Sequence, residues 1–279
     1  MTQVEPRFRD LPAVHHLRSG HAIYWWAEAL FVGIFYSIYS TIRNSNTASP
    51  GTAFAHAKQL MSLQRFLHIN VEESIQNVAL HLRPLIIGSN YFYGSMHFIV
   101  TIGVAIFLFR KFPDDYPRYR NMLAVATALA LIGFSTFALM PPRLLDCYVS
   151  ELATAECFVD GSEPRVQRYG FVDTLARDPA IWSFNSGAMS KLSNPYAAMP
   201  SVHCAWALWC AVALRKRVRN TWAKVLAVSY PMVTVAVIVV TANHYLLDAV
   251  AGFAVLGIGF LLAQRFTRAG RTVAALSSL

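Results

Sequence analysis

Two histidines and one aspartate carry the spacing in this sequence that most directly suggests chemistry. The stretch TANHYLLDAVAG sets His244 and Asp248 four residues apart. On a helix that interval puts both side chains on one face. There the carboxylate accepts the imidazole Nδ1–H and leaves the opposite ring nitrogen with a free lone pair. An imidazole held in this way is a nucleophile or a base. A second imidazole, His203, sits in NPYAAMPSVHCAWALW, at the start of a run of Trp, Ala and Leu. Pro200 suits a first helical turn, and a helix N-terminus offers N–H groups and its positive dipole end to an anion. A phosphate fits such a cradle.

Together these parts describe a phosphoryl transfer. His244, aligned by Asp248, attacks phosphorus, and His203 as imidazolium protonates the departing oxygen. An alcohol or water, deprotonated by the same His203, then takes the group from His244. Charge on the equatorial oxygens is met by Ser201, by backbone amides and by cations. Arg143 in MPPRLL and Lys191, just upstream of the NPYAAMPSVH stretch, are the candidate cations. His97, Tyr196 and Asn243 are further candidates to line the site; His97, like Glu28, also reads as a packed core residue. The scheme needs no metal and no cofactor.

The elements that position these groups follow from composition. The 279 residues are 55% hydrophobic and 14% charged, with a mean hydropathy of +0.39, too apolar for an ordinary soluble domain. Apolar stretches near the ~20 residues that a spanning helix needs fall at about 22–42, 94–110, 122–140, 201–214, 225–241 and 245–264. We therefore expect one membrane domain over residues 1–279, an all-α bundle of six transmembrane helices. Residues 1–20 lack the apolar core and cleavage site of a signal peptide. Lys and Arg gather before the first span, between the second and third, between the fourth and fifth, and after the sixth. All four clusters fall on one side, which predicts cytoplasmic N- and C-termini. The loops 43–93 and 141–200 then face outward, and both histidines meet at the outer surface. Topology accounts in this way for the net charge of +9 without a nucleic-acid partner.

Cys147 and Cys157 lie in the second outer loop, where a disulfide persists, while Cys204 and Cys210 read as small core residues. In the first outer loop, Leu60, Leu63 and Leu67, then Ile75, Val78 and Leu82, recur at helical spacing. They predict one or two helices on the membrane surface or over the bundle.

Pro200-Ser201-Val202-His203 and His244-Tyr245-Leu246-Leu247-Asp248 resemble the second and third signature motifs of the type 2 phosphatidic acid phosphatase superfamily. NPYAAMPSVH with NHYLLDAVAG is most similar to its branch containing the fungal inositol phosphorylceramide synthases. The resemblance implies a metal-independent membrane enzyme with His244 as nucleophile, His203 as acid and base, and Asp248 as the orienting carboxylate. Its partners would be membrane lipids, with a phospholipid or lipid phosphate as substrate, at a bacterial plasma membrane with the site facing outside. The sequence departs from the phosphatase pattern: Ile238 stands where an Arg precedes the nucleophile by six residues, and no Lys precedes Arg143 at the spacing of the first motif. Fewer cations suit a phosphodiester, with one charge, better than a monoester with ~ −1.5 to −2. Head-group transfer to an alcohol is the expectation, with hydrolysis of a lipid phosphate by water as the alternative. Lys191 or Arg83 could restore the missing charge. Two other readings stay open: a proton-coupled transporter lined by the same residues, and a metal site built from His203, His244 and Asp248.

Overall fold

The structure, a computed structural model, describes residues 14–18, 20, 22–45, 49–149, 168–178 and 194–276, from 266 onward as backbone alone. An antiparallel hairpin of β1 (Val14–His16) and β2 (Ala22–Tyr24) leads into α1 (Trp25–Ser45). Next come α2 (Pro50–Phe66) and α3 (Glu72–Leu80). α4 (Arg83–Tyr91) runs through a π-helical segment, Phe92–Met96, into α5 (His97–Lys111), and α6 (Tyr116–Thr136) follows. Short helices α7 (Leu145–Val149) and α8 (Thr174–Arg177) precede α9 (Val202–Leu214), α10 (Thr221–Val240) and α11 (Leu246–Leu276).

Local chemistry explains where several helices begin. Ser49 accepts the Thr52 N–H with Pro50 in the first turn of α2, and Asn220 accepts the Ala223 N–H ahead of α10. α6 stops at Thr136, short of the expected limit at 140, because Pro141 and Pro142 follow. Phe137–Met140 instead run in non-helical backbone, where Leu139 bridges Ala197.

Among the described residues three helices are long and apolar enough to cross a membrane: Arg83–Lys111, Thr221–Val240 and Leu246–Arg265. Val202–Leu214 is apolar but shorter. α1 and α6 have 21 residues each but carry Glu28 and Arg43, and Arg118 and Arg120, within that length. The bundle turns large apolar side chains outward, among them Ile99 and Ile102 on α5, Met232 on α10 and Leu261 on α11. Such a belt suits hydrocarbon rather than water. Inside, Leu108, Met122, Trp209 and Leu256 form one buried cluster. Helices close on small residues, as at Gly259, where an added Cβ would lie 2.9 Å from the Met122 carbonyl oxygen.

The two ends differ. At one end lie Arg118 of α6, Arg215, Lys216 and Arg217 after α9, and the β1 hairpin, whose His15 ring sits 4.9 Å from Phe109. Glu28 is bonded there to Arg120 and, at 3.1 Å, to the Tyr116 hydroxyl, as its packed-core reading requires. The histidines occupy the opposite end. α2 buries Ala53, Ala57, Leu60 and Met61 against the bundle but exposes Phe66, and α3 exposes Val78. These two helices thus pack over the bundle and also present an exposed apolar face.

The start of α9 is clamped to α11. Ser201 donates its N–H to the Asp248 carbonyl at 2.9 Å, and a Cβ at Gly252 would lie 2.3 Å from the Ser201 carbonyl oxygen. Gly252→Leu should therefore cost about 1–3 kcal/mol or more through overpacking against backbone. Gly257→Leu, with nothing within 4 Å of its Cβ position, should not. Thermal unfolding of both variants in detergent measures the difference; equal melting temperatures would refute the clamp.

Candidate active site

His244 is the residue two positions before α11, in the tight turn Thr241–Tyr245. The turn is held by Asn243, whose amide donates to the Thr241 hydroxyl at 2.9 Å, and by Ala242 at a positive φ of 50°. The His244 Nδ1 lies 3.3 Å from the Asp248 Oδ2, and the same oxygen accepts the Tyr245 N–H at 3.0 Å. Asp248 thus caps its own helix in the manner of a capping box while fixing the imidazole. Both residues are buried, and the His244 Nε2 has no partner among the described residues. The expected His-Asp pair is present, with its free nitrogen turned away from the carboxylate.

His203 reaches the same place from the first turn of α9. Its ring centroid is 5.7 Å from that of His244, and it stacks on Tyr93 at 4.3 Å. His97 approaches at 4.3 Å edge-on and bonds through Nδ1 to the Tyr93 carbonyl at 3.1 Å. That carbonyl also serves His203. Tyr93 lies in the π-helical segment, whose widened turn loosens the regular ladder, and such segments recur at functional sites. His97 thus lies against His203, while Tyr93 was not singled out from the sequence, where nothing distinguishes it from neighbouring aromatics.

Other expected residues are used differently. Ser201 is wholly buried and its Oγ accepts the Cys204 N–H at 3.4 Å, so its visible task is to cap α9 rather than to face an open cradle. Asn243 is spent on the turn. Tyr196 packs against the buried cluster that holds Met140 and Tyr245, and burial, with Tyr148 nearby, pushes its hydroxyl pKa up. It stays a neutral donor. Lys191 and Cys157 lie outside the described residues; Cys147 is buried and disulfide-bonded.

Arg143 donates its N–H to the Ala242 carbonyl at 2.9 Å, which brings it to the turn carrying His244. Its guanidinium is anchored by Asp173 at 2.5 Å, and its Nε has no partner among the described residues. A second cation, Arg43 at the end of α1, is within Coulombic reach of Tyr93, His97 and His203. It lies over Tyr39, which packs with Val202, and its carbonyl accepts from Asn194 at 3.0 Å. The sequence did hold a signal for Arg43: it follows the first apolar stretch, on the side where the other basic clusters do not fall. Arg83 is exposed and paired with Asp178 at 3.1 Å. Ile238 is wholly buried beside Cys204, Val239 and Ala249, so an apolar side chain fills the position of the superfamily's Arg.

The family model described as PAP2 superfamily matches residues 58–262. The chain belongs to this superfamily. Comparison with curated proteins and with solved structures gives no match. Superfamily membership carries a phosphatase-type chemistry on lipid phosphates, and the paired histidines lie within the matched residues. Among the described residues no three His, Cys, Asp or Glu side chains cluster to hold a metal ion. Asp248 lies behind the His244 ring, on its Nδ1 side, so it does not converge with the Nε2 on a common point.

Helices α2 and α3 reach the start of α11. Glu72 accepts the Leu246 N–H at 2.9 Å and Gln64 accepts the Leu247 N–H at 3.3 Å, so two first-turn amides of α11 are satisfied from α2 and α3. The Gln64 amide in turn donates to Glu72 at 2.5 Å. Both side chains are buried. Glu72→Ala should leave the Leu246 N–H and the Gln64 amide unpaired, destabilising the protein by about 1–3 kcal/mol. Glu72→Gln keeps an acceptor and should recover most of it. Melting temperatures of the two variants test the cap; an unchanged Glu72→Ala protein would rule it out.

Proposed function

We propose that this protein is a membrane lipid phosphotransferase that moves a phosphoryl-linked head group from a lipid to an alcohol through a phosphohistidine on His244. The observation that carries the proposal is the buried His244 Nε2, unpartnered among the described residues, with a second imidazole 5.7 Å away between ring centroids and Asp248 on Nδ1. In the first step the Nε2 lone pair attacks phosphorus, the bond to the leaving oxygen breaks, and His203 gives that oxygen a proton. In the second step His203 takes the proton of the acceptor hydroxyl, whose oxygen attacks phosphorus and frees His244. Arg143, Arg43 and the first-turn amides of α9 are the groups proposed to meet the equatorial oxygens.

Transfer is favoured over hydrolysis by the charge at the site. Ile238 supplies no cation, and Asp173 already offsets part of the Arg143 charge. A phosphodiester needs less compensation than a monoester. The proposed setting is a bacterial plasma membrane crossed six times, with both termini in the cytoplasm and the histidines at the outer surface. Residues at the two polar ends are separated by a core of Ala, Leu and Trp, which supports an enzyme with a surface site over a proton path.

Labelled phosphodiester lipid, quenched during turnover, should leave acid-labile, base-stable label on the wild-type chain and none on His244→Ala. Label surviving in that variant would sink the nucleophile assignment. His203→Ala should lose least with an aryl phosphodiester, whose leaving oxygen needs little protonation, whereas His244→Ala should be severe on every substrate. Equal losses for His203→Ala on aryl and natural substrates, with phosphoenzyme formation limiting, would remove His203 as the acid.

A further inference from the structure

A second candidate site lies at the end of the bundle remote from the histidines. Between α6, α9 and α11 there is a cavity of about 670 Å³, within the ~300–1,000 Å³ of small-ligand pockets. Along α9 its lining begins at Leu208, five residues and about 8 Å beyond His203, and its basic mouth begins at Arg215, about 18 Å beyond. Its walls are apolar: Leu208 and Val212 from α9, Phe253 and Phe260 from α11. Its mouth is basic, with Arg118, Arg215, Lys216 and Arg217 against one acid, Asp115.

These four cations are not equally committed. Arg217 is bonded to Asp115 at 2.6 Å and to the Tyr119 hydroxyl at 3.1 Å, yet its buried Nε has no partner among the described residues. Arg118 lies over the Phe260 ring at 5.1 Å, bringing charge directly onto the apolar wall. Arg215 and Lys216 are exposed, and no acid among the described residues pairs with either. Gly257 lines the cavity with nothing within 4 Å of its Cβ position, and Ile258 and Leu261 beside it on α11 are exposed. The apolar side of the cavity is therefore continuous with the outer apolar belt.

We infer that this cavity binds the phosphate head and upper chains of an anionic phospholipid, at a site separate from the catalytic histidines. An anionic head meets an excess of three positive charges, and acyl chains lie along Leu208, Val212 and Phe253 toward the belt. Uncharged solutes would leave the cations unmatched, and a free anion would leave the apolar wall uncovered. A basic pocket between membrane helices is a recurrent form of anionic-lipid recognition. The inference rests on the membrane placement proposed above but not on the reaction.

The test uses the purified full-length protein in detergent and measures phosphatidylglycerol and phosphatidylcholine binding by native mass spectrometry. The wild-type protein should favour phosphatidylglycerol. Arg215→Gln and Lys216→Gln should each weaken its binding about fivefold, the worth of one cation near a lipid head. Gly257→Leu, which fills the cavity without a clash, should weaken both lipids. His244→Ala should leave the preference intact, and millimolar inorganic phosphate should not displace the lipid. The inference is overturned if the charge variants bind as wild type, if Gly257→Leu keeps full binding, if His244→Ala abolishes the preference, or if phosphate competes.

Discussion

The Asp248 carboxylate, wholly buried, receives the His244 imidazole and the Tyr245 N–H on one oxygen, and much of the site hangs from that contact. Because Asp248 sits in the first turn of α11, the imidazole is fixed relative to a long helix rather than to a mobile loop. The backbone carbonyl of the same residue accepts the Ser201 N–H, so the helix that carries His203 starts from the residue that orients His244. Gly252, one turn further on, has no side chain and lets the Ser201 carbonyl come close. The distance between the two imidazoles is thereby set by backbone contacts, which yield far less than side chains do.

Burial makes the rest of the architecture necessary. Unpaired N–H groups at the start of a helix cost little in water and much where water is excluded. Helices α2 and α3 meet that demand for α11 with Gln64 and Glu72, while Asp146, Gln76 and Asn90 pair the backbone of residues 168–178. Asp146 accepts the N–H groups of Arg168, Tyr169 and Phe171, and Gln76 exchanges two bonds with the Val172 backbone. Asn90 donates to the carbonyls of Thr174 and Asp178. Polar side chains that look out of place in apolar helices are thus the ties that hold residues 168–178 over the bundle.

Charge is divided between the two ends in a consistent way. Among the described residues, the two cations nearest the histidines are tied down, Arg143 by Asp173 and Arg43 by its seat over Tyr39. At the other end they are numerous and largely exposed. Such an arrangement fits a site matched to one negative charge at a time and a basic surface matched to a membrane face.

The His-Asp pair was legible in the sequence because four residues on a helix fix a geometry by themselves, and His203 because a proline and a Ser-Val-His stretch mark a helix start. The apolar stretches were legible for the same local reason, with errors where a helix outran its apolar part, as at Arg83–Lys111, or stopped before prolines. What no local pattern encodes is which distant group meets a given backbone amide. Glu72 lies 174 residues from Leu246, and Tyr93 lies on a third helix from the two imidazoles that it contacts. Chain topology alone brings them together, and the price of burying a polar group decides that once there they must pair. Composition and spacing therefore specified the candidate residues, while tertiary packing chose their supports, with Ser201, expected at the phosphate, capping α9 and Asn243, expected to line the site, holding a turn.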